Sequence, residues 1–374
     1  MIQVLTFLWL FSLLILLGYH FLIFRKGTKT SSTHPWPTIP GVSIVIAVKN
    51  GSDSLARHFK EFLSQEYPLF EIIIVNDYSS FEEQKKLEEL VRGLAQVTLY
   101  HSTDQPGKKQ ALTLGINKAK YELILCTDAD CRPAGKEWIE SMVMHSHGDN
   151  LVLGYSPYVQ SRGFLNLFIR FETVMTGIQY LSWALIGRPY MGVGRNMLYP
   201  RKLFQQEDPY KDQKHIPYGD DDLWVQRASS KSKVVVNTEK ASHVFSSPAT
   251  SWKQWFKQKH RHLSAGHYYQ MKAWWQPGLY AMALMSHWVL LPFLMMSSPD
   301  NMLLAGFFLG LAVRWDTYRR WTSRLGDRDT DLWYPLLEVG YALYLAVMGF
   351  ITIAVSYTHL RAHETDSYLV CRLL

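Results

Sequence analysis

The stretch Leu123-Ile124-Leu125-Cys126-Thr127-Asp128-Ala129-Asp130 runs from apolar side chains straight into two carboxylates separated by one small residue. An apolar run this short, preceded by the helical-looking segment 110–120, reads as a buried parallel strand. On an extended backbone, residues two apart point the same way, so Asp128 and Asp130 face one spot. Two carboxylates leaving a dry strand together repel unless a positive charge stands between them. A hard divalent cation with oxygen ligands, Mg2+ or Mn2+, meets that need, and a diphosphate can share it. A solvated turn or a helix cap is the plainer alternative for the same three residues.

Composition frames the chain around that stretch. Its 374 residues suffice for one large or two modest domains. A hydrophobic fraction of 48% beside 19% charged residues points to a soluble domain joined to membrane segments. The formal net charge is +7, with Lys and Arg grouped beside the apolar spans, which favours a membrane surface over nucleic acid. Cys126, Cys131 and Cys371 are too few for a disulfide framework and fit a reducing compartment.

Residues 1–26 read as an N-terminal transmembrane anchor, because 4–24 is almost free of charge and is followed by Arg25, Lys26 and Lys29. That order is the reverse of a signal peptide and puts the anchor's far end in the cytoplasm. Residues 27–40 form a Ser/Thr/Pro-rich linker. From 41 to 270 strands alternate with helices: 42–48, 72–75, 97–100 and 123–130 are the strands, with helical spacing between them. This pattern predicts an α/β domain with a mostly parallel, Rossmann-like sheet covered on both faces. Ligands of such sheets bind beyond the carboxyl ends of the strands, where Lys49/Asn50, Asn76/Asp77 and Asp128/Asp130 fall.

Within the domain, 163–186 is long and apolar but carries Arg170, Glu172 and Gln179, and is expected to be an interfacial amphipathic helix. Residues 192–196 form a Gly-rich turn, and 251–267 is basic and aromatic. Residues 277–355 hold two to three C-terminal transmembrane segments, with apolar runs at 279–296, 302–313 and 334–355. The Arg-rich stretch 314–328 between the last two places it in the cytoplasm. The tail 356–374 has no periodicity and reads as a segment of unclear origin.

Several polar residues are candidates for chemistry. Asp77 ends the second strand, where a carboxylate either accepts bonds from a nucleoside or caps the next helix. Lys108 or Lys109, at the start of a helix, reaches a phosphate or stays exposed. Tyr218-Gly219-Asp220-Asp221-Asp222 is a second acidic cluster. It either favours a helix N-terminus or, through repulsion and burial, raises one carboxylate's pKa into the range of a usable base. In Gln258-Lys259-His260-Arg261-His262, Arg261 suits a diphosphate or a lipid headgroup.

Together, VSIVIAVKN, FLSQEYPLFEIIIVNDYSS, GKKQALTLGINKAKYELILCTDADC, GVGRNMLY, YGDDDLWVQRA and WFKQKHRHL resemble the inverting family 2 glycosyltransferases of GT-A fold, in their membrane-anchored bacterial type. The resemblance covers about residues 41–265. It implies that Asp77 lies in the nucleotide-binding loop, that Asp128 and Asp130 form the metal-binding Asp-x-Asp, and that Asp221, beside Asp220, is the general base. Lys108, Gln258 and Arg261 fall on the donor side, the last two matching the Gln-x-x-Arg-Trp motif of processive synthases. Two positions depart from the pattern. Asn76 replaces the first acidic residue of Asp-Asp-x-Ser, and His262 replaces the Trp that serves as an aromatic platform for a growing polymer.

The expected protein is a multi-pass enzyme of the cell membrane with its catalytic domain in the cytoplasm. It transfers sugar from a nucleoside diphosphate to a lipid-linked or surface glycan acceptor, with a divalent metal and no nucleic acid. A polyprenyl-phosphate glycosyltransferase is the near alternative. A catalytically silent, sugar-nucleotide-binding membrane scaffold is the alternative of a different class.

Overall fold

The structure, a computed structural model, describes residues 1–26, 36, 38–103, 105–207, 210, 219–264, 268–269, 271–297 and 300–351. Most of the linker, Tyr218 and the tail 356–374 lie outside the described residues.

Seven strands build the main sheet: β1 Val42–Val48, β2 Phe70–Asn76, β3 Val97–His101, β4 Leu123–Asp128, β6 Leu151–Leu153, β7 Met197–Pro200 and β8 Val234–Val236. Their spatial order is β3-β2-β1-β4-β7-β6-β8. The first four pair in parallel, whereas β7 runs antiparallel to both β4 and β6. A two-stranded sheet joins β5 Cys131–Pro133 to β9 Val244–Ser246. The architecture is therefore mixed but mostly parallel.

The apolar runs of β1, β2 and β4 are continuous because both faces are covered. Val42, Ile44, Ile46, Ile72, Ile74, Leu123 and Leu125 pack on one side with Leu55 and Phe59 of α2 (Ser52–Leu63), Leu87 of α3 (Phe81–Val91) and Trp138 of α5 (Trp138–Met144). The intervening residues Val45, Ile73, Val75, Ile124 and Cys126 pack on the other side with Leu112 and Ile116 of α4 (Lys108–Lys118). That second core continues without a break into α6 (Phe164–Leu185), α7 (Arg201–Glu207), α8 (Asp222–Ala228) and α9 (Trp252–Ser264).

The apolar helices join the same core. Helix α1 (Ile2–Gly18) continues as a π-helical turn, Tyr19–Phe24, and pairs with α10 (Met271–Ser297). Helix α11 (Asn301–Leu325) leads into α12 (Arg328–Ile351). Among the described residues, three segments are long and apolar enough to cross a membrane: Ile2–Phe24, Ala273–Ser297 and Arg328–Ile351. The run 302–313 does not stand alone as a short span, because α11 carries it on through Arg314 to Leu325. Arg314 and Glu338, both fully buried, hold α11 to α12 through bonds of 2.7 and 3.0 Å.

Helix α6 differs from the expected interfacial helix. It forms over nearly the expected residues, but its buried positions run around its circumference and it is enclosed by protein. Its charges point to partners inside the molecule. Arg170 donates to Asp327 at 2.6 and 2.9 Å and to Asp329 at 2.7 Å, and Glu172 pairs with Lys259 of α9. A helix with internally neutralised charges has no polar face left to offer headgroups.

Arg170 and Asp327 are both buried, so breaking this pair strands a charge. Asp327→Ala is expected to cost about 3 kcal/mol, read as a lowered midpoint in chemical unfolding of the detergent-solubilised chain.

Candidate active site

The carboxyl ends of β1, β2 and β4 lie along one edge because these strands are parallel. Val48 is in register with Asn76, and Ala47 with Asp128. Asp77 and Asp128 therefore flank the end of β1. The loops after β1 and β2 are stitched together, with Asn50 N–H donating to Ser79 Oγ at 2.8 Å and Ser80 N–H donating to Asn50 Oδ1 at 2.9 Å. Asn50 and Tyr78 both adopt positive φ there, a strained setting for a tyrosine.

A cleft of about 860 Å3 opens at this edge. It is lined by Asp77, Asp128 and Asp130 from the strand ends, by Lys108 from the start of α4, by Asp220 and Asp221 from the second acidic cluster, and by Gln258 and Arg261 from α9. Of the site candidates singled out in the sequence, all but Lys109, which is buried with its ammonium over the Tyr210 ring, thus border one space.

Asp77 is buried and accepts a 2.7 Å bond from Gly107 N–H, tying the second strand to the start of α4. Lys108, the first residue of α4, reaches across the cleft to Asp128 at 2.9 Å and Asp220 at 3.0 Å. Crowding in the cleft alone would lower its pKa, but Asp128, Asp220 and Asp221 outweigh that and hold it well above the ordinary lysine value. The same crowding would raise Asp128, yet the Lys108 ammonium brings it below the usual carboxylate range. Asp128 and Lys108 are therefore ionised together.

Asp221 is held by two backbone donors, Gly194 N–H at 3.0 Å and Asp222 N–H at 2.9 Å. Burial and the adjacent Asp220 raise its pKa despite those bonds and Lys108. Behind it, burial raises Asp222 further, and Tyr269 donates to its carboxylate. The acidic cluster thus divides into an ion-paired member, a raised member facing the cleft and a buried one.

Asp128 and Asp130 carry oxygen atoms close enough to hold one ion, with the Cys131 thiol beside them. Burial and Asp128 push that thiol up to about 12, so it stays protonated and offers a hard cation nothing. The two carboxylates fit Mg2+ or Mn2+. That Lys108 already holds a positive charge against Asp128 shows the position suits a cation.

One participant, Arg195, was not singled out from the sequence. Arg195, in the Gly-rich turn, lines the cleft and donates to the Ser156 hydroxyl at 2.6 Å and to its carbonyl at 3.2 Å, with its guanidinium over Tyr158. Gln258 reaches the same region by donating to the Tyr158 hydroxyl at 3.1 Å. Strand β7, directly after the turn, is what fixes Arg195. Only the glycines around it signalled a close approach. A Cβ on Gly192 would lie 2.8 Å from Val225 and 3.0 Å from Leu153.

Residues 43–208 match the family model described as Glycosyl transferase family 2. Over 119 residues the chain is 33% identical to the poly-beta-1,6-N-acetyl-D-glucosamine synthase of Staphylococcus epidermidis, covering 30% of this chain and 27% of that one. It is 22% identical over 200 residues to glycosyltransferase AglE of Haloferax volcanii, covering 51% of this chain and 62% of the relative. The chain therefore spans only about a quarter of the length of the synthase it matches. Among solved structures, a mannosyltransferase of Pyrobaculum calidifontis, in complex with GDP-Man and Mn2+, superposes with a TM-score of 0.54 at 15% identity over 88% of this chain and 97% of that one, which shows the fold. The fold is the GT-A architecture, and residues 43–208 carry the similarity to glycosyltransferase family 2. Beside that match, the described residues hold three helices long and apolar enough to cross a membrane.

Gly192→Ala tests the packing of the turn. The added methyl meets Val225, Leu153 and Met197 in the core, and a loss of about 1–3 kcal/mol is expected in equilibrium unfolding.

Proposed function

We propose that this protein is an inverting, divalent-metal-dependent glycosyltransferase that moves a sugar from a nucleoside diphosphate to a lipid-linked or surface glycan, its cleft on the cytoplasmic side of the membrane. The observation that carries the reading is the meeting of Asp77, Asp128, Asp130 and Asp221 in one cleft, from three separate stretches of chain. The polysaccharide synthase and the sugar-nucleotide complex among its relatives support a glycan product and an activated-sugar donor.

On this reading Asp77 and the loops after β1 and β2 receive the nucleoside. Asp128 and Asp130 hold Mg2+ or Mn2+, which when bound neutralises the departing diphosphate. Lys108, Gln258 and Arg261 supply donors for the same phosphates. Asp221 takes the proton of the acceptor hydroxyl as that oxygen attacks the anomeric carbon from the face opposite the leaving group, so configuration inverts. Its two backbone donors fix the orientation of the carboxylate, and its raised pKa makes it a stronger proton acceptor than an ordinary aspartate.

Two measurements test the base. Asp221→Asn is expected to lower turnover with a hydroxyl acceptor by about a thousandfold while leaving nucleotide affinity near that of the parent. Unchanged turnover with a polyprenyl phosphate acceptor, already an anion, would favour that alternative. The pH profile supplies a second check. Asp221 must be ionised to act, so the rate falls as pH drops through its raised pKa, and this acid limb lies above the ordinary carboxylate range. Asp220→Asn removes a charge that raises Asp221 and is expected to move the limb to lower pH.

A further inference from the structure

Lys108 stands where the metal reading needs vacant carboxylate oxygens. Its ammonium lies 2.9 Å from Asp128 and 3.0 Å from Asp220, joining the end of β4 to the loop before α8. Asp128 gives one oxygen to this contact. A divalent ion placed between Asp128 and Asp130 would meet a like charge within a few ångströms of its ligand. The two cations therefore compete for one carboxylate, and the repulsion is strong in a cleft that screens charge less than bulk water does.

A diphosphate changes the balance. Once Lys108 leaves Asp128, a phosphate oxygen in the cleft offers it a new anionic partner, while the metal takes its place on the carboxylate. A counter-cation stands on Asp128 at each stage: the ammonium in the resting site, and a divalent ion in the loaded one, with the ammonium moved to the diphosphate.

We infer that Lys108 is a resident counter-cation that occupies Asp128 in the unliganded protein and yields it on donor loading, so that metal and nucleoside diphosphate bind cooperatively rather than independently. This rests on the reading of Asp128 and Asp130 as metal ligands. Coupling of this kind is reciprocal: the diphosphate tightens metal binding by the same factor that the metal tightens the diphosphate. It also means that free metal alone does not fill the site readily.

The test reads Mn2+ binding directly, from the electron paramagnetic resonance signal of the free ion, on the full chain in detergent. Without nucleotide, Lys108→Met is expected to bind Mn2+ about tenfold more tightly than the parent, since one opposing charge has gone. Lys108→Gln serves as an independent neutral replacement, and Lys108→Arg, which keeps the charge, is expected to stay as weak as the parent. Added UDP or GDP is expected to tighten Mn2+ by a larger factor in the parent than in the neutral variants. Equal Mn2+ affinity in parent and neutral variants would overturn the inference while leaving the metal reading in place. Binding no stronger than in Asp130→Ala, in the parent and the neutral variants alike and with or without nucleotide, would overturn the metal reading and the inference with it.

Discussion

Asp128 and Asp220 lie far apart in the sequence, yet one ammonium bridges them. Without that counter-charge, the parallel strands and the loop before α8 would bring carboxylates together against their own repulsion. The neutralisation is shared among elements. Lys108 comes from the start of α4, Arg195 from the turn before β7, and Lys259 and Arg261 from α9. None of these elements is adjacent to the others in sequence, so the electrostatics of the cleft depend on the completed fold.

The same principle governs the join between the sheet and the apolar helices. Helix α6 packs on the second face of the sheet and also contacts α11. Its Arg170 is satisfied by Asp327 and Asp329 beyond α11, and its Glu172 by Lys259, next to Gln258. Burying these charges is tolerable only because each is paired, and the pairing fixes how α9 and the loop after α11 sit against α6. Thr173, Thr176 and Tyr180 of α6 then form part of the cleft wall. One helix thus links the membrane-type bundle to the site.

Much of this was legible in the sequence, for a physical reason. Strands covered on both faces must be apolar along their whole length, so β1, β2 and β4 stand out, and parallel pairing then assigns their polar ends to one edge. Asp77 and Asp128 needed no more than that. Strand β7 was not legible, because Met197–Pro200 is short and nothing local encodes that it runs antiparallel between β4 and β6. Arg195 was hidden for the same reason, as its position depends on that reversal. The setting of α6 was misread because charges in an apolar helix suggest a water-facing side until their distant partners are known. Helix α11 was cut short at Arg314, whose partner Glu338 lies on the next helix.

The composition of the cleft also limits what it can receive on the proposed reading. Its strand-end side is rich in charge, whereas Tyr155, Tyr158, Thr173, Thr176 and Tyr180 bring hydroxyls and aromatic faces to the other. A charged nucleotide belongs with the former, and a neutral sugar, which stacks and hydrogen-bonds, with the latter. His262 fits this division. Crowding and the neighbouring Lys259, Arg195 and Arg261 lower its pKa, so its imidazole is neutral at physiological pH and adds no charge to a wall already basic. Where the processive pattern has an indole that can only stack and donate, this chain places a ring that can both donate to and accept from a sugar hydroxyl. Hydrogen bonds of fixed direction, rather than an aromatic platform, are what this ring offers at that wall of the cleft.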